Sequence, residues 1–167
     1  MSRILLRMMV GLLVMGTGLT AWGTPTPFDP LGESMPRFST AASNWIIWLV
    51  VVGTSSTLFI WKHVGARWVL GAYAANHAVA IGTGSFLGAQ LLTNGLVSLT
   101  HVVFWTPAVI VLIRQLPSIS RGSIYGVWHW VALATMVVSL LFDYRDSFIY
   151  LFSEPVLSGP PLASAAA

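Results

Sequence analysis

The feature that most constrains this chain is a long stretch without formal charge. Between Arg67 and Arg114 there is no Asp, Glu, Lys or Arg. One membrane crossing takes about 20 apolar residues, so this run is too long for a single helix and suits two joined by a short turn. Only 8% of the whole chain is charged and 56% is hydrophobic, whereas soluble domains carry roughly 25% charged residues. A chain of 167 residues could bury one core in water, but it could not solvate a surface so poor in charge. The expected class is therefore all-α, an integral membrane four-helix bundle preceded by a signal peptide or an additional first transmembrane helix. The formal net charge of +3 is spread among loops and forms no patch, so no nucleic-acid partner is expected. There are no cysteines, which excludes disulfides and thiolate chemistry.

The chain divides into four parts. Residues 1–23 have a basic start (Arg3, Arg7), an apolar run from Met8 to Leu19, and small residues at Ala21 and Gly23. That pattern suits a cleaved signal peptide, or an uncleaved helix if Arg7 snorkels. Residues 24–42 hold four prolines with Asp29, Glu33 and Arg37 and read as an extracytoplasmic strap, either a connector or a partner-docking segment. Residues 43–146 form the transmembrane domain, with helices expected at about 41–61, 68–92, 96–113 and 124–142. Asn94-Gly95 reads as a turn. Residues 147–167 read as a short interfacial amphipathic piece and a disordered tail.

Charge sets the expected orientation. Lys62 and Arg67 lie in one loop and Arg114 and Arg121 in another. Cytoplasmic loops collect Lys and Arg, so both mature termini are expected outside.

Helix packing is expected to run through small residues on the second helix, namely Ala74, Ala78, Gly82, Gly84 and Gly88. The Gly82-Thr83-Gly84-Ser85 step would pack tightly, or alternatively break the helix as in some transporters. Interior-facing stripes are Tyr73, His77, Ala80, Gly84 and Gly88 on the second helix; Asn94, Ser98, His101, Trp105 and Ala108 on the third; and Tyr125, His129, Ala132, Met136, Ser139 and Asp143 on the fourth.

Candidate chemistry rests on His77 and His101. At 1.5 Å per residue they lie roughly 15 and 18 Å from the cytoplasmic end of their helices. At such similar depth they could ligate a b-type haem or another pigment, line a proton or solute path, or simply lock helices together as neutral hydrogen-bonders. No further metal site is expected, because His129 reads as too shallow to add a third ligand. His63 reads as interfacial. Asp143 and Asp146 flank Arg145 and read as a solvated helix cap with a local ion pair. No nucleophile–base pair, membrane-depth carboxylate dyad or phosphate loop is present, so an enzyme is not expected.

His101-Val-Val-Phe-Trp-Thr-Pro107, Tyr125-Gly126 and Ser139-Leu-Leu-Phe-Asp-Tyr-Arg-Asp146 resemble segments of uncharacterised small multi-pass inner-membrane proteins of proteobacteria, over about residues 95–150. The resemblance implies a bacterial inner-membrane location and carries no functional residues. The sequence thus favours a non-catalytic accessory subunit or assembly factor, with the lipid bilayer and other membrane subunits or itself as partners. A haem-binding electron-transfer protein and a small transporter or channel are the alternatives.

Overall fold

The structure is a computed structural model and describes residues 25–153. The expectations for the N-terminal segment and for the tail beyond residue 153 lie outside the described residues. What is described is all-helical. A short helical turn, α1 (Leu31–Ser34), leads through a 3-10 turn into α2 (Thr40–Ser55), followed by α3 (Val64–Gly82), α4 (Asn94–Gln115) and α5 (Ile124–Phe152). Three helical stretches are long and apolar enough to cross a membrane: Thr40–Leu58, Asn94–Ser118 and Ile124–Phe152. α3 is not among them.

The first long helix ends earlier than its hydropathy suggests. Thr54 donates to the Val50 carbonyl at 2.7 Å, Ser55 to Val52 at 2.8 Å and Thr57 to Thr54 at 2.7 Å. Hydroxyls that bond back to carbonyls of the preceding turn weaken the helical ladder. The chain tightens to a 3-10 turn at Ser56–Leu58 and leaves α2 six residues before Trp61.

The second helix needs a larger correction. It does not run to Leu92 but ends at Gly82, followed by a π-type turn at Thr83–Leu87 and a reversal at Gly88, whose φ is +113°. Only glycine adopts such a backbone freely. Within the described residues this small-residue cluster makes no close helix contact. A Cβ on Gly82 would meet nothing within 4 Å, and one on Gly84 would make only an ordinary contact with Leu92 at 3.8 Å. Ala74 and Ala78 are exposed. The close approaches fall elsewhere, where Gly53 of α2 lies against the Tyr73 ring and Gly95 of α4 against the Tyr150 ring.

Asn94 and Gly95 are not a turn but the opening residues of α4, capped by the Thr93 hydroxyl on the Leu96 N–H at 3.2 Å. The first N–H groups of a helix lack partners within it. Here the strap supplies them: Asn94 N–H donates to Asp29 O at 3.1 Å and Gly95 N–H to Pro27 O at 2.7 Å. Leu31 N–H returns a bond to Leu92 O at 2.7 Å. The Asn94 side chain donates to Thr26 O at 3.0 Å and to Ser34 Oγ at 2.8 Å. Residues 26–34 therefore form a clasp over the end of α4.

α5 is also longer than expected. Ile124–Phe152 is one continuous helix of 29 residues, so the stretch from Ser147 is not a separate interfacial piece. Its last turns carry Tyr150 to the clasp, where it meets Phe28 at a ring distance of 5.9 Å.

α4 lies between α3 and α5. The core is built from Val69, Ala72 and Tyr73 of α3, Trp105, Ala108 and Leu112 of α4, and Ala132, Leu133, Met136 and Leu140 of α5. α2 joins more loosely, through the Trp48 indole on Thr135 Oγ1 and the Trp128 indole on Ser55 Oγ, both at 3.0 Å. Large apolar side chains cover the outside, among them Ile47, Val51, Val103, Ile113, Leu141 and Phe148.

Candidate functional site: two polar clusters on one helix

α5 carries two buried polar clusters, one at each end. All six residues of its expected interior stripe (Tyr125, His129, Ala132, Met136, Ser139, Asp143) are buried. On α4, Ser98, Trp105 and Ala108 are buried and Asn94 and His101 are partly buried. The helical periods were legible on these two helices.

The outer cluster, beneath the clasp, is centred on Asp143. His101 Nδ1 lies 3.2 Å from each Asp143 carboxylate oxygen, and the Ser139 hydroxyl donates to Oδ2 at 3.1 Å. The His101 ring packs on Trp105 at 4.1 Å, and Trp105 stacks on Tyr73 at 4.7 Å. Beside them the Thr100 hydroxyl donates to Asn76 Oδ1. Asp143 is therefore not the solvated cap expected of it. It is 8% exposed and joins the helices through His101. Asp146 does pair with Arg145, at 3.1 Å. Three buried polar atoms are unpartnered among the described residues: Tyr73 OH, Trp105 Nε1 and Ser147 Oγ.

The inner cluster surrounds His129, which is near the start of α5 as expected and fully buried. Its Nε2 donates to the Leu112 carbonyl at 3.0 Å, and its Nδ1 faces the Tyr125 hydroxyl at 3.3 Å. A carbonyl can only accept, so Nε2 carries a proton. His63, expected at an interface, stacks on Tyr125 at 3.5 Å. Trp128 and Phe59 complete the aromatic wall.

His129 and Asp143 are 14 residues apart, roughly 21 Å along the helix. Between them the interior is filled by Ala108, Leu112, Ala132, Leu133 and Met136, and the buried Thr135 hydroxyl there is taken up by the Trp48 indole. The two clusters are not one polar path.

His77 and His101 do share a level. The Tyr73–Trp105 stack and the Asn76–Thr100 bond set an antiparallel register that places residues 77 and 101 side by side. Their surroundings differ. His77 is exposed and donates from Nδ1 to its own helix's Tyr73 carbonyl at 2.8 Å, while the inward residue of that turn is Asn76. Both Nε2 atoms have no hydrogen-bond partner among the described residues. The lateral grooves between α3 and α4 and between α2 and α5 are lined by neither His77 nor His101. No group of three metal-ligating side chains occurs among the described residues. A signal for Asp143 was present in the sequence, since it closes the interior stripe of α5 four residues after Ser139.

No family model, curated protein or solved structure matches the chain.

Proposed function

We propose that this is a non-catalytic, multi-pass inner-membrane protein that serves as an accessory subunit, held laterally against another membrane chain by α3. In this reading α3 crosses the bilayer beside α4, making four membrane rods. Lys62, Arg67, Arg114 and Arg121 then mark the cytoplasmic rim, and the clasp lies outside. The antiparallel pairing of α3 with α4 through Tyr73, Asn76, Trp105 and Thr100 supports this placement.

The observation that carries the function is the outward face of α3. Ala74, His77, Ala78 and Ile81 recur at helical spacing and are all exposed. Small residues let another helix approach closely in lipid, and the free Nε2 of His77 would be an unsatisfied polar atom in hydrocarbon. A docked helix offering an acceptor or donor satisfies both. The clasp, by contrast, is already engaged with α4, so it is not proposed as the docking element.

Native gel electrophoresis of mild-detergent membrane extracts tests this. The wild-type chain should migrate within a larger assembly containing another membrane chain, and Ala78→Phe should release it. Migration as a lone monomer in both cases would overturn the reading. Orientation is checked in the cysteine-free chain by single cysteines at Lys62 and Arg121, which should both label from the cytoplasmic side. A Soret band abolished by His101→Ala would instead favour the haem alternative. The break at Gly82–Ser85 that the transporter alternative calls for is present, where α3 gives way to the π-type turn, but neither lateral groove is lined by those residues.

A further inference from the structure

The face of the α3–α4 pair turned away from α5 carries a second feature. A groove of about 350 Å³ runs between the two helices, lined by Arg67, Trp68, Gly71 and Ala72 on one side and by Val103, Phe104 and Pro107 on the other. Its walls are apolar except at one end, where the Arg67 guanidinium sits. Arg67 is held there. Its Nε donates to Ile60 O at 2.7 Å and its Nη2 to Trp61 O at 3.2 Å, while Nη1 has no partner among the described residues. The fork is thus fixed at the mouth of the groove with donors to spare. Trp68 stands beside it, the residue type that favours the boundary between headgroups and acyl chains. Gly71 opens the floor, because a Cβ there would meet nothing within 4 Å.

We infer that this groove binds an anionic phospholipid, with its phosphate on Arg67 and one acyl chain along Gly71 and Ala72 toward Pro107 and Val103. The shape and the charge both point to this class. A fixed cation at one end of an apolar channel matches a molecule with an anionic head and a hydrocarbon tail. A methylene is close in bulk to a water, which takes roughly 30 Å³, so the groove holds on the order of ten methylenes. Arg presents a planar fork that grips phosphate oxygens in pairs, and its use of the other donors on carbonyls removes the entropic cost of positioning it. The inference rests on α3 lying in the bilayer, but not on its docking to another subunit.

Native mass spectrometry of the purified full chain is the test. The protein is exchanged into neutral detergent and titrated with phosphatidylglycerol or phosphatidylcholine. The wild type should retain phosphatidylglycerol in preference to phosphatidylcholine. Arg67→Gln should weaken retention about tenfold and abolish the preference. Gly71→Leu fills the groove without disturbing a neighbour and should reduce retention of both lipids while leaving the fold intact by circular dichroism. Arg121→Gln, a cation in the same rim but outside the groove, should retain phosphatidylglycerol as the wild type does. Equal retention of the two lipids by the wild type, or undiminished retention by Gly71→Leu, would overturn the assignment. Neither outcome depends on whether the chain migrates alone or in an assembly, so the two readings fail separately.

Discussion

The two ends of α5 solve the same problem differently. Each sets a histidine in the seam between α4 and α5, near one end of the interior: His129 of α5 at one, His101 of α4 at the other. At the inner end His129 uses both ring nitrogens, on Leu112 O and Tyr125 OH, with no carboxylate in the cluster. At the outer end His101 meets a buried carboxylate, and Tyr73 OH, Trp105 Nε1 and Ser147 Oγ have no partner among the described residues. The inner arrangement is a finished hydrogen-bond lock. The outer one keeps an ionisable pair where an unpaired charge is expensive, so its stability depends on both members being present. A buried pair is weak evidence of net stabilisation, but breaking it is costly.

The largest predicted effect follows from that asymmetry. His101→Ala should destabilise the detergent-solubilised protein by about 3–5 kcal/mol, because it leaves Asp143 buried without its partner. Asp143→Leu combined with His101→Leu should recover most of that loss, since an apolar pair of similar bulk carries no unpaired charge. Thermal unfolding followed by circular dichroism measures both. A double variant as unstable as His101→Ala would show that the pair itself, rather than the orphaned charge, carries the stability.

The inner cluster should respond less to loss of its polarity. His129→Leu keeps the volume and strands only the Leu112 carbonyl and the Tyr125 hydroxyl, at a cost of about 1–3 kcal/mol. If it proved as damaging as His101→Ala, the contrast between a lock that holds a carboxylate and one that does not would not hold.

The clasp adds a third difference, one of pH. It covers the outer end alone and depends partly on Asp29, which accepts the Thr26 N–H at 2.9 Å and pairs with Arg37 at 3.1 Å. Partial burial, the largest single influence, pulls its carboxyl upward. The Thr26 bonds and the Arg37 guanidinium together outweigh that and hold it below the ordinary aspartate value. Folding therefore favours the charged form. Its contribution is complete above the unfolded value of about 4 and is lost as pH falls through the lower folded one. Protection of the Asn94 and Gly95 amides, measured against intrinsic exchange at the same pH, should fall on acidification below about pH 4, and Asp29→Asn should remove that pH dependence. Exchange at the inner end of α5 should not respond to the Asp29 substitution.

How much of this was legible in the sequence differs along the chain in the same way. The interior stripes of α4 and α5 followed from period alone, because those helices bury one continuous face. On α3 the same logic chose His77 over Asn76, one position off. A Gly- and Ala-rich helix has little contrast between its faces, so periodicity could not separate them. The end of α3 was misjudged for a related reason: apolar residues continue to Leu92, and only the backbone geometry at Gly88 reveals the reversal. Asn94-Gly95 has the composition of a turn, but the strap's carbonyls, more than 60 residues earlier, cap it as a helix start. Asp143 looked solvated because α5 was expected to stop just before it. The misses at Asn94-Gly95 and Asp143 involve partners distant in sequence, whereas the end of α3 is set by its own backbone.

The smallest predicted effect addresses the glycines, and it separates the two roles that composition could not. Gly82→Ala lies at the open C-terminal turn of α3, where its Cβ meets nothing. The change should be neutral or stabilise the helix by up to about 1 kcal/mol, the intrinsic preference of alanine over glycine. Gly53→Ala makes the same chemical change where α2 crosses the Tyr73 ring. It should destabilise, because the ring beneath the outer cluster must shift to admit the methyl group. Thermal unfolding of the two variants side by side decides the matter. A loss of stability in Gly82→Ala would restore that residue to a packing interface, and a silent Gly53→Ala would mean that α2 does not press on the outer cluster.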